Sequence, residues 1–231
     1  MTERHELRWG GFAGLAFVVL AIVGRFLPGN LPTVDESEGT ITGFLNDART
    51  SMLIGALMWT AAAGLIIWFA AAFAEAIRER DERSDVHLAL LAGSVLVGSA
   101  IFVTAGLTAA TAFSIDGRGA AITIMLYELT AVMTTMIGFA ATLPLAAAGI
   151  GVLRTQLMPN WLGYLALLAA VVSFAGAFGV FASDGVFVAG GTLMTTVPLL
   201  LSAVWIACAG TYMVREHLPE VTAGEGIVPQ T

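Results

Sequence analysis

Between Ala121 and Leu153 the chain runs for 33 residues with one charged side chain, Glu128. A soluble core of this chain's size could not hide so much apolar surface. A bilayer accepts it as solvent, provided that every backbone amide and carbonyl is satisfied inside the segment. The run must therefore be helical, and it is not alone. Six apolar runs can be laid down, at about 9–27, 51–73, 88–113, 121–153, 161–182 and 187–213, against the ~20 residues that cross a hydrocarbon core of ~30 Å. The expected fold class is an all-α, polytopic membrane helix bundle. Residues 1–217 form its transmembrane domain, and 218–231 a tail too polar and aperiodic to order itself. Composition agrees, with 58% hydrophobic and 12% charged residues where soluble domains carry ~25% charged.

All ten basic residues are Arg, and they divide by side. Arg4, Arg8, Arg78, Arg80, Arg83, Arg154 and Arg215 fall on one side, and Arg25, Arg49 and Arg118 on the other. The positive-inside bias then places both termini in the cytoplasm. The first run follows Arg8 as a signal peptide would, yet no A-x-A site follows it, so a retained first helix is expected. The preference for Arg over Lys, with abundant Ala and Gly, suggests a GC-rich bacterial genome and hence a bacterial inner, or plasma, membrane. A net charge of −7 argues against nucleic acid as a partner, because phosphate binding needs clustered cations. In "IRERDER" acidic residues interleave with Arg, which is the pattern of a solvated loop.

The loop before the second run, "PGNLPTVDESEGTITGFLNDART", contains Asp35, Glu36 and Glu38. It fails as a calcium loop because Thr40 stands where Gly is required and Asn46 where the closing Glu is required. Ile41, Phe44 and Leu45 recur at helical spacing, so this part is expected to lie on the outer surface before turning into the second span. The fourth run, roughly 50 Å as a helix, exceeds the bilayer, and a kink at Pro144 with tilting is expected to absorb the excess. Pro198 should act likewise in the sixth. Gly10 with Gly14, Ser94 with Gly98 and Ala175 with Gly179 have the spacing that lets helices approach closely, within the bundle or in a homo-oligomer.

The inventory removes several chemistries. Without Lys there is no Schiff base and no Walker lysine. Cys208 has no second Cys to pair with. His5, His87 and His217 all fall at predicted cytoplasmic helix ends, which suits neither a haem nor a metal cluster. No metal or cofactor is expected, and no nucleophile motif supports catalysis.

Glu128 is the residue that asks for a reason. It lies about 10 Å into the fourth run, where an unpaired charge costs up to about 2.5–3.5 kcal/mol, so it is expected to face protein or water. Arg25, about 24 Å along the first span, reaches the same level, and Arg49 is the alternative partner. Thr104, Thr108 and Thr111 share one face of the third span; Thr135 repeats seven residues after Glu128; Thr192, Thr195 and Thr196 occupy the outer part of the sixth. Together these predict an outward-facing polar cavity near Glu128.

"LMPNWLGYLALLAAVVSF" places Pro159, Trp161, Leu162 and Gly163 at the start of the fifth run. With the length, the six-run layout and the long first outer loop, this resembles a family of bacterial six-helix integral membrane proteins of unknown function. The resemblance implies the fold and carries no activity. Three functions remain open: small-molecule or lipid-ligand binding or transport through the cavity, an accessory or scaffolding subunit that holds a membrane protein partner on small-residue faces, and an intramembrane enzyme.

Overall fold

The computed structural model describes residues 2–115, 119–182 and 185–215. Arg118, Glu216, His217 and the tail 218–231 lie outside the described residues, as do the side chains of Arg4, His5 and Thr192. Six α-helices follow one another: α1 Thr2–Phe26, α2 Glu38–Arg78, α3 Val86–Ser114, α4 Ala120–Thr155, α5 Asn160–Ala177 and α6 Thr192–Val214. A 3-10 turn, Phe178–Phe181, extends α5, and another, Gly185–Phe187, precedes α6. Each helix contains a stretch long and apolar enough to cross a membrane, which is consistent with a multi-pass membrane protein.

Every helix packs on its predecessor, and α6 returns to α1, which closes a ring. Small residues make that closure. A Cβ on Gly11 would stand 2.7 Å from the Gly210 carbonyl, and one on Gly210 would stand 2.9 Å from the Gly11 carbonyl. Gly10 and Gly14 press on Ala72 and Phe69 of α2, Gly98 on Ile67, and Gly179 on Met194. Gly10, Gly14, Gly98 and Gly179 thus serve contacts inside the bundle, whereas Ala175 is exposed.

Two boundaries differ from the sequence expectation. The segment around Ile41 does not lie flat; α2 is one unbroken helix of 41 residues, ~60 Å long, capped by Ser37, whose Oγ accepts from the Thr40 amide at 3.2 Å. Its two parts face different solvents. From Ile41 to Met52 the apolar residues point inward while Asn46, Asp47 and Thr50 are exposed; beyond them the exposed residues are Ile54, Leu57 and Trp68. The amphipathic spacing was real, and what it covers is protein: Ile41, Leu45, Ala48 and Met52 pack with Ala112 of α3 and Tyr127 of α4. The sixth span begins at Thr192, not Phe187, because Gly190 adopts a φ of 76°, in the left-handed region that glycine tolerates.

The 36-residue α4 packs along α3 and also touches α2. Pro144 lies inside α4 without ending it, and its ring seats on Gly93 of α3, where a Cβ would meet the proline Cδ at 2.7 Å. At the end that carries the termini, Arg154 joins Asp81 at 3.5 Å and donates to Ser84 Oγ at 3.2 Å, tying the "IRERDER" loop to α4. His87 Nδ1 lies 2.8 Å from the Ser84 carbonyl oxygen.

Candidate functional site: an axial cavity

The ring does not fill its own axis. A cavity of ≈ 250 Å³ runs between the helices, with walls contributed by all six. Toward the termini it stops at an aromatic floor. Phe69 and Phe73 stack with centroids 5.9 Å apart, Trp205 meets both edge-on, and the Trp205 indole donates to the Leu162 carbonyl at 3.0 Å. Beneath the floor Val152, Leu157, Leu162 and Met213 are fully buried. At the other end two loops form a roof. The Tyr127 hydroxyl donates to the Pro32 carbonyl, the Gly185 amide donates to Asp35 Oδ2 at 3.4 Å, and the Gly190 amide donates to Thr135 Oγ1 at 2.9 Å. Asp35 is held below the ordinary carboxylate value, first by hydrogen bonding to the Thr33 side chain and then by its own amide and that of Gly185.

The walls are mostly apolar, with Ser94, Ser173, Ser202 and Tyr127 scattered among them, and two polar features stand out. The first is a set of threonines: Thr104, Thr108 and Thr111 on α3, Thr130 and Thr134 on α4, and Thr195 on α6. Each donates its hydroxyl proton to a carbonyl four residues back at 2.8–2.9 Å. The remaining lone pairs make this wall an acceptor surface. The second is Arg25, the one charged residue among the described lining residues. It stands in the last turn of α1, where a cation complements the helix dipole. Its Nη2 donates to Thr196 Oγ1 at 3.1 Å, and its guanidinium carbon lies 5.6 Å from the centre of the Phe26 ring. Neither contact neutralises the charge, and no carboxylate pairs with Arg25 among the described residues.

Of the site residues expected from sequence, Arg25, Thr104, Thr108, Thr111 and Thr195 meet in this cavity. Glu128, Arg49 and Thr135 do not line it, and the Thr192 side chain is outside the described residues. Glu128 is exposed, and the Arg25 guanidinium turns to Thr196. The reason is angular and axial. Successive residues turn ~100° around a helix, and it is Tyr127 that points inward. Gly190, in the α5–α6 connection, touches Ala131, so Glu128 stands almost a turn farther out, level with the loops that roof the bundle. Thr135 bonds the Ala131 carbonyl and the Gly190 amide, which makes it a loop anchor. Arg49 belongs to the projecting part of α2.

Sequence reasoning missed Tyr127, Thr130, Thr134 and Ser173. Tyr127, Thr130, Thr134, Gly138 and Ala141 form one helical face of α4, and that period was legible beside the heptad through Glu128, Thr135 and Thr142. No protein-family model, no curated protein and no solved structure matches the chain.

Proposed function

We propose that this protein binds a small amphipathic anion, of the class of a medium-chain carboxylate or an acidic lipid fragment, in the axial cavity. One observation carries the reading: a guanidinium without a carboxylate partner among the described residues lines an otherwise mostly apolar cavity. A cation so placed costs free energy that an anionic group on a ligand would offset, while the chain of that ligand fills the apolar space. The volume suits such a guest, being larger than the ~150 Å³ engineered cavity that takes up benzene. The aromatic floor supports binding rather than conduction.

In this reading the termini are cytoplasmic and the roofed end faces outward across a bacterial inner membrane, on the strength of the arginine distribution. The test uses the full chain in lipid nanodiscs, with dodecanoate, dodecanol and dodecylammonium as probes and thermal stabilisation as the readout. Dodecanoate should stabilise most, and Arg25→Gln should weaken it by about 10–100-fold, as loss of a charge-assisted hydrogen bond implies. Equal stabilisation by dodecylammonium, or unchanged dodecanoate affinity in Arg25→Gln, would sink the proposal.

A further inference from the structure

Ser173 is the one buried side-chain polar atom without a hydrogen-bond partner among the described residues. It is 1% exposed and is the single α5 residue in the cavity wall. Threonines elsewhere in the wall satisfy their hydroxyl protons on their own helices, whereas Ser173 leaves both its proton and its lone pairs unused. Its surroundings are tightly built. A Cβ on Gly138 of α4 would come 2.9 Å from the Ser173 carbonyl, and one on Gly176, a turn along α5, would come 2.8 Å from the Met194 carbonyl. That Met194 carbonyl would regularly accept from the amide four residues on, but Pro198 stands there and has no amide hydrogen. Met194, Pro198 and Ser173 all line the cavity.

We propose that Ser173 is a second polar station on the α5 side of the cavity, and that the natural ligand carries a hydroxyl group along its apolar body. Ser173 and Arg25 belong to helices that are not neighbours in the ring, since α6 stands between them. A hydroxyl is the substituent that fits, because it can either accept the Ser173 proton or donate to the Ser173 oxygen. An unsubstituted chain would leave Ser173 unsatisfied, which is what gives the site its discrimination. The acid at one end rests on the function proposed above; the hydroxyl station stands on Ser173 alone.

The experiment measures thermal stabilisation of the full chain in nanodiscs by decanoate and its positional monohydroxy isomers, and in parallel by decanol and the corresponding decanediols. At least one isomer in each series should bind about 2–10-fold more tightly than its unsubstituted parent, the effect of one neutral hydrogen bond. In Ser173→Ala that preference should vanish, and the parent compounds should bind at least as tightly as before, because no hydroxyl is left unsatisfied beside them. Discrimination among the diols without any preference for decanoate over decanol would retain this inference and defeat the anionic reading. Preference for decanoate with no isomer exceeding its parent, or an isomer preference that survives in Ser173→Ala, overturns the inference; Ser173→Thr serves as a folded control should the alanine variant be unstable.

Discussion

Helices α2, α3 and α4 build two interiors of opposite character. In their projecting ends, Ile41, Leu45, Ala48, Met52, Ala112 and Tyr127 close on one another until Leu45 and Ala112 have no exposed surface. Directly beneath, with Met52 and Tyr127 shared by both interiors, the same three helices, joined by α1, α5 and α6, leave ≈ 250 Å³ unfilled and place a cation beside it. Helices that can pack a dry core at one end are under no constraint of composition to leave a void at the other. The contrast teaches that the void is a built feature: Ala, Gly and Thr occupy positions where larger apolar residues would have closed it.

Substitutions at matched positions can break this contrast. The largest effect is expected in the filled region, where Leu45→Ala should cost about 2–5 kcal/mol, measured by unfolding in detergent, because its cavity cannot collapse between three long helices. Ala105 and Ala112 lie two turns apart on α3, the first beside the void and the second inside the packed core. Ala112→Leu should therefore destabilise by about 1–3 kcal/mol, and Ala105→Leu by less than that while abolishing dodecanoate binding. Equal costs would mean that the two interiors are packed alike.

Smaller effects sharpen the boundary between site and surroundings. Glu128→Gln should change stability by no more than about 0.5 kcal/mol and leave ligand affinity unchanged, since its side chain is exposed and outside the cavity wall. Asp35 gives the least change. Its carboxyl is held below its unfolded value, so its bonds to the roof loops contribute above that value and are lost as pH falls through the folded one. The wild-type advantage over Asp35→Asn in a melting experiment should be present above about pH 4 and fade in more acidic buffer.

How much of this was legible in the sequence depends on what each stretch had to declare. Spans one, three, four and five were legible to within a few residues, because hydropathy over ~20 residues is a direct consequence of bilayer thickness. Thr104, Thr108 and Thr111 were legible as one face, since no competing polar set lies on α3 at that level. On α4 two polar faces compete and the apolar residues encircle the helix, so nothing local chooses Tyr127 over Glu128. The charge drew attention to the wrong one. Ser173 was illegible because its distinction is the partner it lacks, a property of three helices meeting.

The most direct test of the central claim is a density map of the full chain purified from its membrane without added ligand, inspected along the bundle axis. The account predicts elongated non-protein density beside Phe69 and Trp205, with its polar end within hydrogen-bond distance of the Arg25 guanidinium. An axis closed by side chains, with Arg25 paired to a carboxylate of the chain itself, would contradict it.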